Sequence, residues 1–344
     1  MKRLMQLTLI CAAWIALSGV ASASLTTAGT WTGNVGMSVD GVGSNVSPVG
    51  AVEASIPVGA TILQAYLYSA GTPFPFYPNS PTTLAAYNAA GITLAGNAIT
   101  NFSTLVGATS TRADIGGWFT ARADVTALVQ SLTAGALTDT FAWSVSEGTL
   151  NTRIDGELLA IAYSHPSLPV GSVAFLNGGQ NTGGETSFVN LGAPLTDPTA
   201  AGFAAQLGLG ISFSCCGDQR STVLINGDFL TDTAGNFDDG ATGTDGSLFT
   251  VGGLGDDPSN NLGYADDDEL YDLRSYLATG DTSFSIFTQN PTNDDNIFFT
   301  SLYLTGEITE VTPEPTAVPE PATISLLALG LSGLGMRRAR RRKL

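Results

Sequence analysis

Twelve carboxylates lie between Asp228 and Asp272 with no Lys or Arg among them, including the runs Asp238-Asp239, Asp256-Asp257 and Asp266-Asp267-Asp268-Glu269. Hard oxygens on Gly- and Asn-rich loops are what Ca²⁺ takes, six to eight at a time in a forgiving geometry. Asp256, Asp257, Asp266, Asp267, Asp268 and Glu269 are therefore the candidate calcium ligands, and calcium is the one cofactor the composition suggests. Neither this stretch nor Asn293-Asp294-Asp295-Asn296 has EF-hand spacing. The same run would serve equally as a solvated, self-repelling loop leading into a helix N-terminus, where negative charge is favoured. Two carboxylates at the right separation would also hydrolyse a glycoside. Order along the chain does not supply that separation, so a secreted carbohydrate-active hydrolase is the alternative to a non-enzymatic reading.

Other reactive side chains are few. Cys215 and Cys216 are adjacent, and neighbouring Cα atoms about 3.8 Å apart fall below the roughly 4.4–6.8 Å of ordinary disulfides. A strained vicinal bridge, a reduced pair and an intermolecular link all stay open. Redox catalysis does not fit, because the Cys-x-x-Cys spacing is missing. His165 is the single histidine and precedes Pro166, so a triad or zinc site would rest on it alone; an exposed turn histidine is expected. No Gly-x-Ser-x-Gly elbow occurs. No catalytic residues are expected.

The two ends of the chain are the most informative segments. Met1-Lys2-Arg3, the apolar stretch Leu4 to Val20 and the small residues Ala21-Ser22-Ala23 read as a secretory signal peptide, residues 1–23, cut between Ala23 and Ser24. At the other end come Val318-Pro319-Glu320-Pro321, an apolar run from Ala322 to Met336, and the cluster Arg337, Arg338, Arg340, Arg341, Arg342 and Lys343. About fifteen helical residues span roughly 22 Å against a hydrocarbon core of roughly 30 Å, so this membrane helix is short and leans on its basic flank. The positive-inside rule keeps that flank in the cytoplasm. An ordinary C-terminal anchor would have the same parts.

With these ends set aside, five arginines remain of the 13 basic residues, in a chain with 30 acidic ones. Nucleic acid is excluded as a partner, since binding it requires Lys and Arg to neutralise phosphates. The intervening composition predicts a mainly β protein. Thr61 to Tyr68 places Leu63, Ala65 and Leu67 on one face and Ile62, Tyr66 and Tyr68 on the other; Phe141, Trp143 and Val145 alternate; Leu158 to Tyr163 is an unbroken apolar run. Asn226-Gly227 between apolar stretches signals a hairpin. Two short helices are expected: one after Asp124 with Val125, Leu128, Val129 and Leu132 on a face, and one capped near Asp268 with Leu270, Leu273 and Leu277 aligned. Matching sets, with Pro57-Val58-Gly59 paired to Pro169-Val170-Gly171 and each helix followed by Gly and an apolar strand, suggest a duplication. The expected units are 24–165, and 166–310 with an acidic insertion, followed by a Pro/Thr/Glu linker at 311–317 and the terminal segment at 318–344.

That terminal segment, with Pro319, Glu320 and Pro321 ahead of an apolar helix and an arginine-rich end, resembles the PEP-CTERM protein-sorting signal. The resemblance implies export through the general secretion machinery and transient anchoring in the inner membrane. Removal of the tail by an exosortase would follow, with delivery to the cell envelope, surface or extracellular matrix. Residues 50 to 306, through "IPVGATILQAYLYSAG", "ADVTALV" and "DGELLAIAYSHPSLP", resemble adhesin-like surface domains of bacteria and archaea built as jelly-roll sandwiches. Together the two resemblances imply tandem jelly-roll-like β-sandwich units in a non-enzymatic surface protein, adhesive or associated with extracellular polysaccharide.

Overall fold

The computed structural model describes residues 24–43, 47–71, 83–108, 118–150, 154–214, 221–235, 248–258, 269–292 and 294–313. The signal segment through Ala23, Cys215 and Cys216, Asp266 to Asp268 and the sorting segment lie outside the described residues. Among the described residues the chain is mainly β, in several antiparallel sheets, and no helix is long and apolar enough to cross a membrane.

In the first half, β2 (Val35–Gly43), β4 (Thr61–Gly71), β7 (Phe102–Ala108), β8 (Trp118–Asp124) and β10 (Gly156–Ser164) form one sheet in the order β2-β10-β4-β8-β7. A second sheet runs β3-β9-β5-β6, from β3 (Val49–Ser55), β9 (Thr140–Ser146), β5 (Thr93–Leu94) and β6 (Asn97–Ala98). In the second half, β11 (Gly171–Gly178), β19 (Asn296–Leu304), β13 (Ala205–Ser212) and β16 (Phe249–Val251) are neighbours in that order, with β17 (Leu270–Asp272) also on β13. The remaining sheet runs β15-β14-β18-β12-β20, from β15 (Asp228–Ala234), β14 (Ser221–Ile225), β18 (Ser283–Gln289), β12 (Glu185–Leu191) and β20 (Ile308–Pro313).

The two halves share one strand order. The core β2-β10-β4-β8 corresponds to β11-β19-β13 with β16 and β17, and β3-β9-β5-β6 corresponds to β12-β18-β14-β15. Where β8 is one strand, its counterpart is cut in two, and the acidic segment lies in the cut. Equivalent strands carry equivalent details. Asp124 Oδ1 accepts the Thr126 N–H at 2.9 Å, and Asp272 Oδ1 accepts the Arg274 N–H at the same distance. Val125 N–H donates to Ala65 at 2.9 Å, and Leu273 N–H to Ala205 at 2.8 Å.

Three hydrophobic cores order the layers. Val52, Leu67, Trp143 and Ile161 pack between the sheets of the first half, and Leu176, Leu207, Val223 and Ile286 between those of the second. Tyr68, Leu158, Phe175, Phe298 and Phe299 join the two inner sheets. This explains the patterns along single strands. In the outer strand β9 one face is wet and burial alternates through Trp143 and Val145; in β10 both faces are covered, so every residue from Gly156 to Tyr163 is buried.

Several expectations are corrected. A bulge where β4 pairs β10 breaks the alternation, so Ile62 joins Ala65 and Leu67 in the first core while Leu63 turns to the inter-sheet core. The helix expected over Leu270 to Leu277 is absent. Leu270 and Tyr271 pair with β13, and only a single 3-10 turn, Arg274–Tyr276, follows, capped by Asp272 rather than by Asp268. Strand pairing and burial of Tyr271, Leu273 and Leu277 in the second core outweigh the helical spacing. The helix after Asp124 forms at Thr126–Thr133, and a further short helix not expected from the sequence, Leu84–Ala89, is capped by Thr83, whose hydroxyl accepts the Ala86 N–H at 3.2 Å. The Pro-Val-Gly segments are not equivalent, since one precedes β4, the third strand of the first set, and the other leads into β11, the first of the second.

The N-terminal strand β1 (Leu25–Gly33) does not join the strands that follow it. It pairs along its length with β11, at the edge of the inner sheet of the second half. There it meets the last described strand, with Thr27 Oγ1 donating to the Val311 carbonyl at 2.8 Å.

Candidate functional site

Of the acidic residues singled out in the sequence, Asp256, Asp257 and Glu269 lie among the described residues, while Asp266, Asp267 and Asp268 do not. Asp256 Oδ2 accepts the Gly253 N–H at 2.7 Å and closes its own turn, and Asp257 is exposed. Glu269 is buried, taking the Gly235 N–H at 2.7 Å and the Tyr271 hydroxyl at 2.8 Å. Among the described residues no three His, Cys, Asp or Glu side chains come together as metal ligands. His165 is half-buried in the turn between the halves, its Nδ1 2.7 Å from Ser167 Oγ.

The structure adds buried carboxyls that the sequence reading passed over, Glu147, Asp155 and Glu157, and it also buries Asp294 and Asp295. Asp155 and Asp295 are equivalent, each immediately before the last strand of its set. Asp155 Oδ2 accepts the N–H of Phe213, a residue held at φ +60° just beyond β13. Ser214 donates to the Gly235 carbonyl, and Gly235 donates to Glu269. The Asp155–Phe213 hydrogen bond thus joins the halves, beside a Ser214–Gly235–Glu269 chain within the second. Gly235 must be glycine: its φ is +84°, and a Cβ would lie 2.9 Å from Asp295 Cγ. The signal for Glu157 was its place in the Gly156 to Tyr163 run, a carboxyl inside an otherwise apolar interior strand. Burial, and secondarily the charge of Glu147, holds it well above the usual carboxylate range.

A different place has the shape of a binding site. A groove of about 310 Å³ opens between the inner sheets, where β2 faces β13 and β19. That volume lies at the lower end of the roughly 300–1,000 Å³ of small-molecule sites. Among the described residues its polar lining is Ser38, Ser55, Tyr163, Gln206, Ser301 and Tyr303, its apolar lining includes Val35, Leu168 and Leu254, and none of these carries a charge. Small residues keep the tyrosines flat against the backbone: a Cβ at Gly36 would come 3.0 Å from the Tyr163 ring, and one at Gly171 would lie 3.2 Å from Tyr303 Oη. Burial raises both phenols, Tyr163 further through Tyr303, so both stay protonated. Ser301 Oγ is fully buried and has no hydrogen-bond partner among the described residues. Such a lining suits a neutral ligand with an apolar face and several hydroxyls.

Residues 317–342 match the family described as the PEP-CTERM protein-sorting motif. The match contains Pro319, Glu320, Pro321 and the arginines Arg337, Arg338, Arg340, Arg341 and Arg342. The C-terminus therefore carries a sorting motif consistent with an exported protein processed at the envelope. Comparison with curated proteins and comparison with solved structures each return no match.

Proposed function

We propose that this chain is an exported surface or matrix protein, anchored briefly in the inner membrane and released by an exosortase, that holds neutral saccharide without turning it over. The observation that carries the binding part is the groove whose described lining is tyrosines and hydroxyls without charge, in a chain with 30 acidic residues. Each half is read as a jelly roll, supported by the strand order the halves share. The first and last described strands meet at Thr27 and Val311, which suits a domain whose ends are both membrane-directed. Calcium is proposed only for the acidic segment beyond Asp257, and an unfolding midpoint unchanged by chelator counts against a strong folded-state site.

A hydrolase is the second reading because burial, and then the charge of Glu147, raises the Glu157 carboxyl well above its ordinary range, the kind of pairing a general acid and its partner need. Neither residue lines the groove. A glycan array and a turnover assay on the same polysaccharides separate the readings. Binding without product supports the first. Product release that disappears in Glu157→Gln would establish the second.

A further inference from the structure

Glu185 opens β12 and receives the start of the N-terminal strand. Its Oε2 accepts the Ser24 hydroxyl at 2.6 Å, the Leu25 N–H reaches both carboxylate oxygens at 3.3 Å, and Oε1 accepts the Asn181 N–H at 3.1 Å. These donors are all neutral. The α-nitrogen of Ser24 is three bonds from Oγ and so lies within about 4 Å of it by covalent geometry alone. Oγ is itself 2.6 Å from Oε2, which keeps the nitrogen within roughly 6.5 Å of the carboxylate, a range in which an ammonium is drawn to it and a neutral amide is not.

We propose that Glu185 is the socket for the α-ammonium created when the signal peptide is cut between Ala23 and Ser24. The inference rests on that cleavage. Hydrolysis by water leaves a carboxylate on Ala23 and an amine on Ser24, which takes up a proton because an α-amino group has a pKa of roughly 7.7–8.0. Before cleavage the same nitrogen is an uncharged amide. The positive charge therefore arises only on maturation, beside a carboxylate that burial raises above its ordinary pKa despite three hydrogen-bonding neighbours.

The consequence is structural. Strand β1 is an edge strand borrowed by the second half, paired on one side to β11 and tied through Thr27 to Val311. Fixing its first residue closes that edge and discourages pairing with another chain. Maturation thus completes the fold as well as releasing the signal.

The test uses the full exported protein. The N-terminal peptide is first identified by mass, and a zero-length carbodiimide is then applied. An ion-paired amine and carboxyl condense to an amide with loss of one water, so the Ser24 peptide is expected joined to the peptide carrying Glu185. Thermal unfolding follows for Glu185→Gln, for a two-glycine insertion between Ala23 and Ser24 that moves the amine about 7 Å along the chain, and for both changes together. Glu185→Gln is expected to lower the midpoint by about 2–4 °C when the chain begins at Ser24 and by clearly less behind the two glycines. A chain beginning at Ser24 that yields no cross-link, or equal losses in both backgrounds, overturns the socket and leaves the cleavage reading standing. A mature N-terminus elsewhere overturns the cleavage reading, and the socket with it. The cross-link does not depend on any variant folding.

Discussion

Asp155 Oδ2 lies 3.1 Å from the backbone nitrogen of Phe213 and accepts its N–H, so a carboxylate at the root of β10 caps the end of β13 in the other half. Both residues are buried, and Phe213 sits in the left-handed region where a side chain is unfavourable. The link fixes how the two inner sheets meet at that end. Asp155→Ala removes a buried acceptor of the Phe213 N–H, at a cost of about 1–3 kcal/mol. The loss should appear as a lower denaturant midpoint in a single transition, because the inner sheets share one core. Two resolved transitions would mean the halves unfold independently.

Asp40 on β2 provides a pH signature. Burial lifts its carboxyl from 3.8 to about 7, against the opposing effect of the Glu53 and Gly41 N–H groups. The folded state then holds a proton that the unfolded state releases, between about 3.8 and about 7. The relative stability is full below the lower value and is lost as pH rises through the upper one. Asp40→Asn should flatten the stability curve across this window, and carboxyl NMR should find a titration near 7. A midpoint near 4 in the native protein removes the prediction.

Gly252 marks where the acidic segment leaves the sheet. A Cβ there would stand 2.0 Å from the Glu269 carbonyl oxygen and 2.2 Å from its carbon. Those atoms cannot step aside, because Leu209 N–H donates to Glu269 O at 3.0 Å and Gly252 N–H to Leu209 O at 2.7 Å. Gly252→Ala should therefore cost at the upper end of the roughly 1–3 kcal/mol of overpacking. Denaturant titration checks this; a near-neutral result would show that the junction yields.

What could be read from the sequence was local. The alternation of Phe141, Trp143 and Val145, the burial of Leu158 to Tyr163 and the Asn226-Gly227 hairpin all appear in the structure, because each depends on residues close in the chain. The sorting motif was legible for the same reason, being continuous. Long-range choices were not. Nothing in Leu25 to Gly33 says that this strand pairs with β11 rather than with its neighbours. The leucines at 270, 273 and 277 have helical spacing, yet the free edge of β13 takes Leu270 and Tyr271 into the sheet. Buried acids such as Asp155 were hidden because their partners, like Phe213, are remote in sequence. The groove was invisible for a related reason: Ser38, Tyr163, Gln206 and Tyr303 come from four strands.

That groove makes the binding reading testable by salt. Its described lining carries no charge, so affinity for a neutral oligosaccharide should be unchanged between low and high ionic strength and unaffected by chelator. Polysaccharide held through divalent ions on the acidic loops would instead be released by either treatment. Two substitutions sharpen the contrast. Tyr303→Ala removes a ring and a hydroxyl together and should weaken binding about tenfold or more, equivalent to about 1.4 kcal/mol. Ser301→Ala deletes a buried hydroxyl that has no partner among the described residues, so it should leave stability unchanged or slightly raised. Affinity should still fall if that hydroxyl meets the ligand. Calorimetric titration of the exported protein and both variants, at two salt concentrations, decides the matter. Loss of binding in high salt with Tyr303→Ala unaffected would move the site from the groove to the acidic loops.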